Sequence, residues 1–131
     1  CRALLDLPGL RFMRDPTRGG LVTVAHDMAA AARVQVRLDE PAIPVRAPVR
    51  SVCEMLGYDP LYLACEGRVV AVVAPDSAQE ALARWRGMPQ GRQAAIIGCL
   101  ASGPPDVVLT TELGGERILD ELEDEPLPRI C

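Results

Sequence analysis

The sequence predicts an α+β domain in which a mixed β-sheet is covered by helices. Segments with apolar residues at steps of three and four interleave with segments that alternate or are uninterruptedly aliphatic, so helices and strands should share one domain. The apolar residues are mostly Ala, Val and Leu, which suit close packing of helices on a sheet, and only 3% of residues are aromatic. At 131 residues the chain is long enough for one domain with its own core.

Three helices are predicted. The first follows Gly19-Gly20, because apolar residues then recur at helical spacing on one face: Leu21, Val24, Ala25, Met28, Ala29 and Ala32. The second should run from about Pro48 to Leu56 and end at Gly57, a residue that favours helix C-termini. The third should begin after Ser77, whose side chain can cap it, with one apolar stripe formed by Ala78, Ala81, Leu82 and Trp85.

The strand predictions rest on alternation and on aliphatic runs. Residues 34–38 alternate as a half-buried strand would. Residues 69–74 are uninterruptedly aliphatic, which is typical of a central strand covered on both faces, and residues 94–100 predict another buried strand. Gly114-Gly115 predicts a hairpin between residues 107–111 and 116–119. Residues 1–13 are expected to be a short lead-in.

Charge and composition exclude several functions. The net charge of −4 argues against nucleic acid as the main partner. All fourteen basic residues are arginine, so a lysine nucleophile, a Schiff base and a phosphate-loop lysine are excluded within this chain. No signal peptide or membrane-length apolar run is seen, and we expect a cytoplasmic protein without membrane contact. Because the chain opens on Cys, we expect it to be a fragment or a processed form.

The five cysteines are widely spaced and odd in number, which fits neither a disulfide framework nor a zinc site. Cys53 and Cys99 lie in apolar runs and are expected to be buried. His26 is the only histidine, and one histidine without partner ligands does not make a metal site. We therefore predict no resident metal site and a reducing compartment.

The first candidate site is the turn Asp15-Pro16-Thr17-Arg18-Gly19-Gly20. Two glycines at the start of a helix let a ligand approach the backbone, and the free N–H groups there favour an anion. Asp15 could hold a phosphate-bound Mg²⁺, while Thr17 or Arg18 contacts phosphate. The alternative is an ordinary helix cap, with the glycines serving only a tight turn.

The second candidate is Glu66, which lies between an apolar segment and a predicted strand. A partly buried carboxylate there could act as a general base, because burial raises its proton affinity. The alternative is a solvated loop glutamate. Tyr62 and Leu63, just before it, are expected to be core anchors.

The chain ends in an acidic, proline-containing segment that finishes on Cys131. We therefore divide it into a domain over residues 1–119 and a flexible tail over residues 120–131. Prolines and like charges oppose helix formation, and residues 121–131 would span roughly 35 Å when extended. A thiol on such a tail could reach more than one site. The alternative is a frayed end that happens to finish on cysteine.

Three motifs together resemble the C-terminal domain of the hydrogenase maturation protein HypE. They are Asp15-Pro16-Thr17-Arg18-Gly19-Gly20-Leu21, Tyr58-Asp59-Pro60-Leu61-Tyr62-Leu63-Ala64-Cys65-Glu66-Gly67 and the terminal Pro128-Arg129-Ile130-Cys131. The resemblance covers essentially the whole chain. The wider superfamily includes aminoimidazole ribonucleotide synthetase and selenophosphate synthetase, which share the first turn but lack the terminal thiol.

The resemblance implies a function. A HypF-type carbamoyltransferase would load Cys131 with a carbamoyl group, and ATP with Mg²⁺ would drive its dehydration to a thiocyanate. The cyano group would then pass to iron on a HypC–HypD scaffold during NiFe-hydrogenase maturation. It also implies that Glu66 removes an amide proton and that Asp15, Thr17, Arg18, Gly19 and Gly20 face the nucleotide.

Two departures from the family matter. Cys65 stands where the family usually has Asn, so an amide that could orient Glu66 or the substrate is missing. The nucleotide-binding domain that such proteins carry before this one, and through which they dimerise, is absent. We therefore predict that this chain alone does not turn over ATP. The alternatives are another ATP-dependent synthetase of the superfamily and a noncatalytic docking module.

Overall fold

The computed structural model describes residues 2–121, and its α+β architecture confirms the predicted fold class. The helices of these residues are α1 (Gly20–Ala32), α2 (Ala47–Leu56) and α3 (Ala78–Arg86). The strands are β1 (Leu10–Arg14), β2 (Gln35–Asp39), β3 (Val70–Val73), β4 (Gly98–Ala101), β5 (Val107–Thr110) and β6 (Glu116–Ile118). Short 3-10 turns connect several of them.

The strands form two sheets within the described residues, where the sequence predicted one. The larger is mixed, with the order β4-β2-β5-β6: β2 is antiparallel to β4 and parallel to β5, and β5 and β6 form the predicted antiparallel hairpin. The second sheet pairs β1 with β3 in antiparallel register. Part of the expected lead-in is therefore a strand, which its short and interrupted pattern did not reveal.

The main core lies between α1 and the larger sheet. The apolar face of α1 is buried as its spacing predicts, and strands β2 and β5 supply the opposite side. The buried side chains of this core are Val22, Val24, Ala25, Met28, Ala29, Val36, Leu38, Leu61, Val107, Leu109 and Leu119. A smaller cluster of Leu4, Leu7 and Ala81 packs α3 against the start of the chain. The core thus holds α1, and with it the Gly19-Gly20 turn, in a fixed position.

The helix ends follow the sequence signals in part. Gly57 ends α2 in the left-handed conformation, with φ at +71°, as predicted. Ser77 stands immediately before α3, but its side chain makes no capping hydrogen bond. None of the described helices combines the length and the apolar character that a membrane crossing requires.

The predictions of strand burial are wrong at two places. All four residues of β3 are half-buried, and within residues 2–121 the strand pairs only with β1, so it is not a central strand. Strand β4 is shorter than predicted, lies at the edge of its sheet, and is largely exposed. Cys99 is consequently exposed, whereas Cys53 is buried as predicted. An apolar run indicates that side chains can be buried, but strand order decides whether anything covers them.

Candidate functional site

The fold brings the two candidate motifs together, although Pro16 and Cys65, which join them, are 49 positions apart in the sequence. The backbone N–H of Cys65 donates a hydrogen bond of 2.9 Å to the carbonyl oxygen of Pro16. The start of α1 also packs on the backbone of the second motif, because a Cβ at Gly20 would lie 2.4 Å from the carbonyl oxygen of Leu61. The turn at residues 15–20 and the segment at residues 60–66 are therefore in contact and form one candidate site.

The glycines of the first motif are required by this packing. Gly19 and Gly20 have φ values of +60° and +65°, which side chains rarely adopt, and Gly20 has no room for a side chain. Gly19 caps α1 without a side-chain hydrogen bond, so among residues 2–121 no side chain caps the N–H groups of the first helical turn. These donors and the helix dipole favour an anion such as phosphate.

Asp15 is held as a carboxylate. The hydroxyl of Thr17 donates a hydrogen bond of 2.6 Å to its Oδ2, and this contact is the main reason why the pKa of Asp15 is lowered. The backbone amide of Asp15 and the charge of Arg14 lower the pKa further. Arg18 is exposed beside them. The turn thus combines an ionised oxygen ligand, a guanidinium group and uncapped backbone donors.

These groups fit a nucleotide phosphate with its metal ion. Mg²⁺ is usually bound by one or two carboxylates together with substrate phosphates, and the single carboxylate of Asp15 fits that pattern. Within residues 2–121, no group of three or more His, Cys, Asp and Glu residues is arranged to hold a metal without such a substrate.

Glu66 lies at the outer end of the second motif. Near the start of that motif, Asp59 caps the turn Pro60–Tyr62 by accepting a hydrogen bond of 2.9 Å from the N–H of Leu61, and Pro60 suits the first position of this turn. Glu66 and Cys65 are both exposed in the described structure. The partial burial that the general-base interpretation invoked is not present within residues 2–121, because no element in this range covers Glu66, and there it is a solvated loop glutamate.

The structure reveals contacts at the start of the tail that the sequence did not indicate. The Tyr62 hydroxyl donates a hydrogen bond of 3.0 Å to the carbonyl oxygen of Asp120. His26 Nε2 lies 2.7 Å from the carbonyl oxygen of Leu119, and Arg117 forms an ion pair of 2.7 Å with Asp59. We call Tyr62, His26 and the two carbonyl groups the tail clamp. Residues far apart in the sequence form it, so no local pattern could have pointed to it.

The terminal motif lies outside the described residues. Cys131, the predicted acceptor, and the rest of Pro-Arg-Ile-Cys are therefore known here only from the sequence. A cleft of about 260 Å³ lies beside α2. It is not lined by the turn at residues 15–20, and it shares only residues 58–61 with the second motif. Its lining consists of Glu40, Ile43, Val45, Arg50, Cys53, Glu54, Tyr58, Asp59, Pro60 and Leu61.

Comparison with known proteins identifies the family. Residues 1–109 match the family described as AIR synthase related protein, C-terminal domain. The chain belongs to this family. It is also 46% identical, over 98% of its length, to the carbamoyl dehydratase HypE of Azotobacter vinelandii, and it spans 38% of that relative. The chain thus corresponds to the C-terminal domain of HypE proteins and to less than half of their length.

Solved structures of HypE have the same fold. The crystal structure of Escherichia coli HypE matches with a TM-score of 0.93 and 42% identity, covering 99% of this chain and 41% of that one. A crystal structure of HypE in complex with ATP matches with a TM-score of 0.89 and 39% identity, over 95% of this chain and 39% of that one. A HypE–HypF complex matches with a TM-score of 0.87 and 35% identity, over 92% of this chain and 39% of that one.

Proposed function

We propose that this chain is the part of a HypE-like enzyme that carries a carbamoyl group on Cys131 and dehydrates it in hydrogenase maturation. One structural observation carries the proposal: the hydrogen bond between Cys65 and Pro16 joins the Glu66 segment to the anion-binding turn. This contact supports the proposal, because it joins the segment of the proposed base to the turn of the proposed phosphate site. The similarity to carbamoyl dehydratases supports the same reaction.

The dehydration converts an S-carbamoyl group into a thiocyanate, so the amide loses its oxygen and two protons. ATP supplies the phosphoryl group that makes the amide oxygen a leaving group, and the oxygen departs with phosphate. The ionised Asp15 would hold the Mg²⁺ that accompanies the nucleotide, and Arg18 with the first turn of α1 would hold phosphate oxygens. Glu66 would accept an N–H proton as the carbon–nitrogen bond order rises.

Cysteine suits the carrier role for a chemical reason. Sulfur accepts an acyl group readily as a thiolate, and it can later release a cyano group to a thiophilic metal centre. A HypF-type carbamoyltransferase is the proposed donor, since a HypE–HypF complex is among the similar structures. A HypC–HypD scaffold is the proposed acceptor of the cyano group, and a homodimer and a cytoplasmic location are proposed for the native protein.

Mass spectrometry tests the proposal with the native protein that contains this sequence. After incubation with the carbamoyltransferase, carbamoyl phosphate and ATP, one carbamoyl adduct should form at Cys131 and then lose one water. Cys131→Ser should abolish both mass changes. Cys99→Ser is the control, because Cys99 is an exposed free cysteine of the described residues, and it should behave as the unchanged protein. An adduct that persists in Cys131→Ser would refute the carrier role.

A further inference from the structure

Asp59 joins the second motif to the larger sheet. Its Oδ2 forms an ion pair of 2.7 Å with Nη2 of Arg117, and its Oδ1 accepts the hydrogen bond of 2.9 Å from the N–H of Leu61. One oxygen of the carboxylate thus serves the local turn, and the other makes a contact across 58 positions of the sequence. Of the ion pairs among residues 2–121, this one alone includes a residue of the second motif.

Arg117 provides a fixed point for this contact. It lies in the middle of β6 and pairs in register with Leu109 of β5, a strand in which residues 107–109 are all buried. Leu61, the residue that Asp59 caps, is itself buried in the main core. Side chains on strands hold their partners more precisely than side chains on loops. The ion pair therefore fixes the start of the second motif relative to the sheet.

The second motif leads from this ion pair into the proposed site. The carbonyl oxygen of Leu61 lies against Gly20, and the N–H of Cys65 bonds to the carbonyl oxygen of Pro16. Glu66 directly follows the second of these contacts. Because no element of the described residues covers Glu66, its position depends on the contacts of the segment that carries it.

We propose that Asp59 and Arg117 are positioning residues for the proposed base, because they orient the turn Pro60–Tyr62 and through it the segment that carries Glu66. This inference rests on the proposed function. The side chains of Asp59 and Arg117 are 30% and 45% exposed, and pairs of this kind shift an equilibrium by only about 1.4- to 5-fold. The expected consequence of losing the pair is thus a local change in the second motif and not a large loss of stability.

Hydrogen exchange of the Cys65 amide measures this local change without relying on catalysis. In the native protein, Asp59→Asn keeps a side-chain oxygen for the N–H of Leu61 but removes the charge, and Arg117→Gln removes the same ion pair from the other side. In each variant the Cys65 N–H should exchange about 1.4 to 5 times faster, as measured by NMR, because its hydrogen bond to Pro16 opens more often.

Two further variants distinguish the ion pair from its surroundings. Glu116→Gln is the matched control, because Glu116 lies beside Arg117 on β6 and forms an ion pair with Arg37 instead. It should leave the exchange of the Cys65 amide unchanged. Arg117→Lys keeps the charge, and since a single nitrogen of Arg117 contacts the carboxylate, this variant should restore most of the slow exchange.

The rate of dehydration shows whether the change reaches the base. In single turnovers of carbamoyl-loaded protein with ATP, Asp59→Asn should form thiocyanate about 3 to 30 times more slowly than Glu116→Gln, because a misplacement of about 1 Å can cost up to about 100-fold. When Glu66→Gln is also present, Asp59→Asn should cause no further slowing, since there is then no base to misplace. A general loss of stability would slow the reaction equally with and without Glu66.

Two results would overturn the inference. One is equal exchange of the Cys65 amide in Asp59→Asn and Glu116→Gln, and the other is equal slowing by Asp59→Asn with and without Glu66. If the unchanged protein forms no thiocyanate, the proposed function fails, and the role of the ion pair in the reaction fails with it. The hydrogen exchange then still shows separately whether the pair holds the second motif in place.

Discussion

Thr17 donates its hydroxyl hydrogen to the carboxylate of Asp15, and this hydrogen bond is the largest cause of the lowered pKa of Asp15. The same contact orients the carboxylate within the turn that precedes α1. The sequence identified both residues as candidate phosphate and metal ligands, and the structure adds that they act on each other. At the residue scale, Thr17 therefore favours the ionised form of Asp15, which the proposed cation site requires.

Thr17→Ala should raise the pKa of Asp15 toward its ordinary value, as measured by NMR titration of the side-chain carboxyl carbon. Because the folded pKa is lowered, the carboxylate contributes to stability above the ordinary carboxyl pKa, and the contribution is lost as the pH falls through the lowered value. The variant's free energy of unfolding should therefore depend less on pH in that acidic range. Thr23→Ala, whose hydroxyl bonds to Gly19, is the control, and an equal shift of Asp15 in both variants would contradict the assignment.

At the scale of elements, the site depends on how closely α1 approaches the second motif. Gly20 makes this approach possible, because its Cα lies against the backbone of residues 61–63. Gly57, which ends α2, has a similar left-handed conformation but no neighbouring atom within 4 Å of a Cβ position. The two glycines thus share the conformational requirement and differ only in their surroundings.

Gly20→Ala should lower the free energy of unfolding by about 1–3 kcal/mol more than Gly57→Ala, as measured by urea denaturation. Both variants incur the left-handed strain of about 1–2 kcal/mol, and only Gly20→Ala adds the cost of overpacking. Equal destabilisation in the two variants would show that the helix and the second motif are not in close contact.

The sequence predicted the secondary-structure elements better than it predicted which other elements pack against them. The spacing of α1, the glycine that ends α2 and the Gly114-Gly115 hairpin all depend on local physics, and each is present in the structure. The exposure of Cys99 and the pairing of β3 depend on which distant strand lies beside them. A single sequence does not show which strands pair with each other. For this reason β3 and β4 were wrongly predicted to be buried strands.

At the scale of the whole molecule, the proposed site combines three separate parts of the sequence. Sequence motifs identified the turn at residues 15–20, the segment with Glu66, and Cys131, because each is a local pattern. The clamp was not predictable, since Tyr62 and Asp120 are 58 positions apart and His26 and Leu119 are 93 apart. The chain spans 38% of the Azotobacter relative, and the proposed reaction is that of proteins with the relative's full length.

The role of Glu66 is the most direct test of the account. In the native protein, Glu66→Gln should accept the carbamoyl group on Cys131 normally but convert it to thiocyanate at least about 100 times more slowly, since a general base contributes 10²–10⁴-fold. Glu54→Gln, an exposed glutamate on α2, should convert it at the unchanged rate. Mass spectrometry after addition of ATP measures both. Accumulation of the carbamoyl adduct in Glu66→Gln alone supports the account, and conversion at the unchanged rate would contradict it.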